Sequence, residues 1–500
     1  MHGMLANKQS SKQKQTLLRL RFIPVIVLDL FLPSFYPTMS NEKHQEINDA
    51  DEARLIRKIT WAAIPLLNMT QAVQEVDKTT LNHSAMLGLF RDTGITIEQF
   101  GWIAAMFYVG YLIVQRFHTS KYLGTILMGL GLVVGCNALC QTYAQLVGLR
   151  ILLGAFAAAV YPCIFLLIST LYRRSEQVIW FSSIYITDAI AVIVNSLIMY
   201  SLGYIDDTAG VSAWQWGMIL WGAITMLLGL VCFVFLPDKP TSRWFRLSPI
   251  EKKIVEERIR DNTVVQTRTF KWTHVREAIS EPRFYCYLVI CVCFNLLNGC
   301  FTVFQSQVIS EMGFKDLDAI LLNIPSYAAD IVAMATAAWM SRKYSEISYL
   351  ASLFQLLPFG GIILLLMLPA GGVQLAGLYL TFCNGPIYSF LSTSVSNNVT
   401  GYTKKIFYNA SLVIAYSVGN FVGPLLILDR ERPRYPSAMV TYATATLLTS
   451  ILFLYIRWDI VRRNQRREEL RRTSGLTLPP ENREELDLTD KEDLYFVYLP

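Results

Sequence analysis

NMTQAVQEVDKTTLN, residues 68–82, is the stretch on which the architecture turns. It lies within an apolar run from Ile59 to about Leu81 that is long enough to cross a bilayer, yet it is full of polar groups. At helical spacing Asn68, Gln71, Glu75, Lys78 and Asn82 fall on one stripe, in steps of three or four. Ala72, Val73 and Val76 lie mostly off it. A charged side chain at bilayer depth costs a few kcal/mol or more, so such groups face a bundle interior or a wet cavity. One wet face predicts further helices that enclose the water.

The composition supplies them. Of 500 residues, 53% are hydrophobic and 16% charged, with a mean hydropathy of +0.37. That excludes a soluble domain, because a ~30 Å hydrocarbon core takes ~20 apolar residues per helix and many such runs are present. Twelve are read, at about 59–81, 100–115, 122–141, 144–171, 179–202, 214–236, 285–308, 318–340, 347–368, 372–396, 408–428 and 436–457. One long polar stretch, Pro237–Phe284, divides them six and six. The expected chain is an all-α membrane protein of two six-helix bundles (59–236 and 285–457). An N-terminal segment (1–58), a central loop (237–284) and a tail (458–500), all expected to be cytoplasmic, complete it. Paired bundles of this kind are the layout of major facilitator transporters, with the site between the halves near the midplane.

The net charge of +6 does not predict a nucleic-acid partner, because the basic residues sit in short loops. Arg116 and Lys121, Arg173 and Arg174, Arg342 and Lys343, and Lys404 and Lys405 follow even-numbered segments, and six arginines follow segment 12. The other loops are poorer in cations, DRERPR (Asp429–Arg434) excepted. By the positive-inside rule both termini are cytoplasmic. Nine cysteines contain no C-x-x-C pair and lie mostly in apolar runs, so neither a zinc site nor a disulfide framework follows. The run FIPVIVLDLFLPSFYP (Phe22–Pro37) carries three prolines and Asp29 and reads as non-spanning, with Met39 a more natural start. In the central loop, Ser248-Pro249-Ile250-Glu251 is a capping box opening a charged helix. FKWTHVREAI (Phe270–Ile279) reads as an amphipathic segment on the membrane surface, and DLYFVYLP at the end of the tail as a short docking motif.

A second charge stands out in GLRILLGAFAAAVYP (Gly148–Pro162). Arg150 has Gly154 and Ala158 on its own face, where small residues allow close helix approach. It reads either as an arginine snorkelling to a helix end or as a guanidinium offered to a carboxylate.

The chain carries VDKTTLNHSAMLGL (Val76–Leu89), SKYLG (Ser120–Gly124), LRILLG (Leu149–Gly154), LPDKP (Leu236–Pro240), FKW (Phe270–Trp272), LLNIPS (Leu321–Ser326), GYTKK (Gly401–Lys405) and NASLVIAYSVGNFVGP (Asn409–Pro424). In colinear order they resemble the fungal allantoate permease family of the major facilitator superfamily. The resemblance implies a secondary transporter that takes up a small organic anion (allantoate, ureidosuccinate or nicotinate-like) with a proton, across a plasma membrane. It implies no cofactor and no partner beyond solute and lipid, with the chain acting as a monomer. By that resemblance Asp77 and Lys78 match the family's acid–base pair, Arg150 its helix 4 arginine, and Gly419, Asn420, Gly423 and Pro424 its helix 11 motif. Lys78, Arg150, Asn68, Gln71, Asn298 and Asn384 are the expected substrate contacts. Glu75, Asp77 and Asp188 are the expected coupling acids, and Gly154 joins the helix 11 residues in packing and gating.

Two departures qualify this. Where relatives have a glutamate in LLG-x-FEA, this chain has Ala157, so coupling moves to Glu75, Asp77 or Asp188, or fails. Segment 2, Phe100–Gln115, gives about 24 Å of helix at 1.5 Å per residue, short of a ~30 Å core. A non-transporting sensor or a decayed copy of such a permease is therefore the rival reading. An enzyme is not expected, since H-E-x-x-H, G-x-S-x-G and Walker A motifs are all missing.

Overall fold

The computed structural model describes residues 49–114, 123–172, 174–205, 210–237, 247–248, 250–255, 270–344, 346–473 and 487–500. The expectations for residues 1–48, for Arg116, Lys121 and Arg173, and for residues 238–246, 249 and 256–269 of the central loop fall outside that set.

The helices are α1 (Asp49–Met86), α2 (Leu89–Thr93), α3 (Ile97–Val114), α4 (Leu123–Cys136), α5 (Tyr143–Ala157), α6 (Val160–Leu171), α7 (Arg174–Leu202) and α8 (Ala213–Phe235). After the central loop come α9 (Trp272–Ser280), α10 (Pro282–Glu311), α11 (Asp316–Leu321), α12 (Ile324–Tyr344), α13 (Ile347–Met367), α14 (Gly372–Thr381), α15 (Pro386–Asn398), α16 (Tyr402–Leu425) and α17 (Pro436–Thr473). Among the described residues, eight stretches are long and apolar enough to cross a membrane. The stripe-bearing α1, the shorter α3 and α4 and the broken pair α14–α15 bring the spans to twelve.

Three spans are broken where the sequence reading expected continuous helix: α5–α6, α11–α12 and α14–α15. Each second half carries a proline in its first turn, Pro162, Pro325 and Pro386. Proline cannot donate to the carbonyl four residues back, and the first helical turn is where that loss is tolerated. Pro65 and Pro358 lie inside unbroken helices, so proline permits these breaks without compelling them.

The span α3 is longer than expected. Thr96 and Gln99 form a reciprocal capping box, Gln99 N donating to Thr96 Oγ1 at 3.2 Å and Thr96 N to Gln99 Oε1 at 3.0 Å. The helix therefore starts at Ile97 and runs 18 residues, about 27 Å at 1.5 Å per residue and close to bilayer thickness. It lies against α5 by mutual close approach. A Cβ on Gly154 would sit 1.9 Å from Phe107 O, and one on Gly110 1.9 Å from Ile151 O, so only glycine fits at either.

The halves meet at one end, the end of the α1–α2 and α7–α8 connections, called here the far end. There Phe100 packs on Phe304 and Trp102 on Phe421, with ring centroids 5.4 and 6.0 Å apart. One apolar core runs from the N-terminal half across this end into α10, α13 and α17, while a second is confined to the opposite, linker end of the C-terminal half. Helix α9 is amphipathic: His274, Val275 and Ala278 are buried inside the protein, while Trp272 and Ile279, with Phe270 just before the helix, are exposed.

Residues 487–500 dock on the linker end. Asp490 is fully buried between Lys404 Nζ (2.7 Å) and Arg283 Nη2 (2.9 Å). Glu277 and Glu281 complete a carboxylate cluster around the Lys404 ammonium, at 2.7 and 2.8 Å, so the cation these acids call for is a lysine. Burial pushes the Asp490 carboxyl up, but Lys404 and Arg283 outweigh it and hold it below the usual range. The Tyr498 ring lies 4.6 Å from both Arg283 and Arg467 guanidinium carbons. Asn464 and Asn398 pair with the backbone of Tyr498 and Leu499. The aromatic end of the tail thus docks on its own chain.

Candidate functional site

A cavity of about 560 Å³ lies between the halves, walled by α1, α3, α6 and α7 on one side and α10, α12, α14–α15 and α16 on the other. The helix breaks reach it: Tyr161 and Pro162 follow the first, Tyr327 the second, and Phe382, Asn384 and Gly385 form the third. Irregular backbone at bilayer depth is expected only where it lines such a space. The lining extends to the exposed Phe165 and Asn409 toward the linker end.

Helix α1 divides its polar stripe. Glu75 and Lys78 face the cavity together with Gln74. Lys78 Nζ lies 2.7 Å from Glu75 Oε2, with side chains 13% and 24% exposed, so the pair is accessible rather than sealed. Lys78 is the one lysine or arginine among the described lining residues. Asp77, one residue earlier and about 100° round the helix, points elsewhere. Its Oδ2 lies 3.4 Å from Arg150 Nη1, and both side chains are at most 4% exposed.

Arg150 therefore does not line the cavity, which corrects the expectation that it offers its guanidinium to a solute. It and Asp77 tie α5 to α1, so Asp77, expected as a coupling acid, does not line the cavity either. Asn68 and Gln71 are corrected for the same reason, since the helical turn aims them at α7. Ser183 Oγ donates to Asn68 Oδ1 at 3.3 Å, and Gln71 Nε2 to Asp188 Oδ2 at 3.4 Å. Ala157 is buried under α1, its carbonyl accepting from Gln74 Nε2 at 3.3 Å.

The remaining expected residues are brought together. Asp188, Asn298 and Asn384 line the cavity. Asn298 donates to Asn420 Oδ1 at 3.1 Å, and Asn420 donates on to Asn295 Oδ1 at 2.8 Å, locking α10 to α16. Gly419 and Gly423 lie on the α10 backbone, where a Cβ would come within 2.6 Å of Val292 O and 2.4 Å of Leu296 O. Pro424 ends the motif, its carbonyl beside Gly101 of α3.

Sequence reasoning gave little weight to two features. Asp330 faces the cavity from α12 and accepts from Gly385 N at 3.1 Å, a donor released by the third break. Twelve aromatic side chains line the cavity, six from each half, including Tyr108, Tyr111, Tyr185 and Tyr416. So many flat walls suit a solute with a planar or apolar body. The available signal was tyrosine in the middle of spans rather than at their ends, where membrane-interface tyrosines sit.

Comparison with known proteins agrees with this geometry. Residues 53–424 match the Major Facilitator Superfamily. An uncharacterized transporter of Schizosaccharomyces pombe is 30% identical, the alignment covering 90% of this chain and 88% of that one. The allantoate permease of Saccharomyces cerevisiae is 27% identical over 91% of this chain and 88% of its own. Among solved structures, the inward-open xylose transporter of E. coli superposes with a TM-score of 0.59 at 13% identity, over 78% of this chain and 95% of that one. The chain belongs to the Major Facilitator Superfamily, as a multi-pass membrane transporter and not an enzyme, similar to fungal allantoate permeases.

Proposed function

We propose that this chain carries a small organic anion, of the allantoate, ureidosuccinate or nicotinate kind, together with a proton into the cell across the plasma membrane. One observation carries the reading: the Lys78–Glu75 pair is open to the cavity. A solute carboxylate takes the ammonium only when Glu75 releases it, and a proton on Glu75 does that. Binding of anion and proton is thereby one event: the ammonium exchanges a carboxylate of the protein for one of the solute, and the local charge is unchanged. Asp188, held by Gln71 on the same wall, is the second proton acceptor in this scheme. Rocking of the halves then exposes the cavity to each side in turn, with the linker end facing the cytoplasm. One chain supplies both walls, so a monomer suffices.

A second reading is favoured by the acids. Asp188 and Asp330 have no lysine, arginine or histidine within ion-pair distance among the described residues, and aromatic rings surround them. A solute bearing a cationic group, alone or beside a carboxylate, would meet them. Uptake of a labelled panel of monoanions, zwitterions and cations in permease-deficient yeast separates these readings. Accumulation of unchanged monoanion, faster in acid, supports the first; accumulation confined to zwitterions or cations supports the second. Binding without accumulation of any compound would leave a sensor, and would contradict both.

A further inference from the structure

His83, one turn beyond Lys78 toward the far end, is fully buried and has no part in the scheme above. Its ring joins both halves: Nε2 lies 3.1 Å from Ser196 Oγ of α7, and Nδ1 lies 3.2 Å from Ser306 Oγ of α10. Neighbouring bonds fix the direction of each. Ser196 Oγ donates to Val192 O at 3.0 Å, so it accepts from the imidazole Nε2–H. Ser306 Oγ accepts from Asn323 Nδ2 at 2.8 Å, which leaves its own proton for Nδ1. The backbone N–H of Ser306 donates across the same interface to Asn82 Oδ1 at 3.0 Å. His83, Ser196, Ser306, Asn82 and Asn323 are at most 1% exposed.

A run of directed hydrogen bonds thus passes through one neutral ring and crosses the line along which the halves must part, with Asn82 Nδ2 and Asn323 Oδ1 beside it left unpartnered among the described residues. Away from water, a bond broken inside such a network is not replaced by one to solvent, so each bond that is made counts for more. We propose that His83 is the latch of the far end: its bond to Ser306 holds the halves closed there, and far-end opening requires that bond to break. The bond to Ser196 lies within one half and only orients the ring. This inference rests on the alternating movement of the halves and is independent of which solute is carried.

The test uses the full-length chain with Thr302→Cys as a probe, since Thr302 lines the cavity one turn below Ser306. A membrane-impermeant maleimide is applied to the far face of sealed membranes of known orientation, and the chain without the introduced thiol is the blank. Ser306→Ala, which removes one oxygen across the interface, is expected to raise the labelling rate about fivefold, the equilibrium shift from losing one hydrogen bond. His83→Ala should raise it further, Ser306→Thr should restore the parent rate, and Ser196→Ala should change it less than about twofold. Unchanged labelling in Ser306→Ala at parental expression overturns the proposal. Equal effects of Ser196→Ala and Ser306→Ala also overturn it, since they would show general loosening. If His83→Ala does not reach the membrane, the serine variants decide.

Discussion

Asp77 and Lys78 are adjacent in sequence, and each forms half of an ion pair, yet the two pairs are different devices. Asp77 and Arg150 are sealed between α1 and α5 at 3.4 Å, and nothing of solute size reaches them. Lys78 and Glu75 sit at 2.7 Å on the cavity wall and are partly exposed. The difference comes from the 100° step between consecutive helical residues, which sends one carboxylate into the bundle and one ammonium into the cavity. A sealed pair is costly to break because its survivor is left charged in a poor solvent. An open pair can exchange partners, because an incoming carboxylate replaces the departing one. The fold uses the first to hold helices and exposes the second to solute.

The contrast can be broken by substitution. Arg150→Ala has the largest expected effect on the protein itself: about 3–5 kcal/mol of lost stability from stranding Asp77. It should be seen as a collapse in membrane-inserted protein or in detergent melting temperature. Normal amounts of Arg150→Ala with selective loss of solute binding would put the arginine back in the site. Glu75→Gln comes next. A one-proton step changes uptake up to about tenfold per pH unit, and this variant should flatten that dependence while leaving protein amount alone; an unaltered pH profile removes Glu75 from coupling.

The tail sharpens the same comparison, since Asp490 belongs to a sealed cluster outside the spans. Its carboxyl is held below the ordinary range by Lys404 and Arg283 against the effect of burial. The stability it contributes is therefore present above the ordinary carboxylate pKa and is lost only as pH falls through its depressed value. Limited proteolysis should find the tail protected through mild acid and cleaved only below the carboxylate range, whereas Asp490→Asn should be cleaved already near neutrality. Protection of that variant at neutrality would deny the cluster its role. The smallest effect is expected at Asn68, whose half-buried amide accepts one bond from Ser183. Asn68→Ala should leave uptake within about twofold, as losing one weak, partly exposed bond implies.

How much of this was legible follows the same physics. The all-α membrane fold and the polar stripe on α1 are local properties of hydropathy and period; the structure bears out the fold, and of the stripe it brings Glu75 and Lys78 to the cavity. Which members of the stripe meet solute is not local. Asn68 and Gln71 share the stripe with Glu75 and Lys78 but are intercepted by Ser183 and Asp188 of α7, a partner no spacing rule names. Arg150 was misread because a guanidinium in an apolar run looks the same whether it meets a solute or Asp77. The helix breaks carried a signal in Pro162, Pro325 and Pro386, but Pro65 and Pro358 carry the same signal inside unbroken helices. The latch at His83 was invisible because its serine partners, Ser196 and Ser306, lie more than a hundred residues away in the chain.

The most direct measurement is uptake of a labelled organic anion per molecule at the cell surface, compared between the parent chain and Lys78→Ala. Removing the one lysine or arginine among the described residues that line the cavity should abolish uptake, by at least the roughly tenfold that a single charge-assisted bond is worth, with surface amount unchanged. Parental uptake by Lys78→Ala would contradict the account, because the ammonium facing the cavity would then have no hold on what the protein moves.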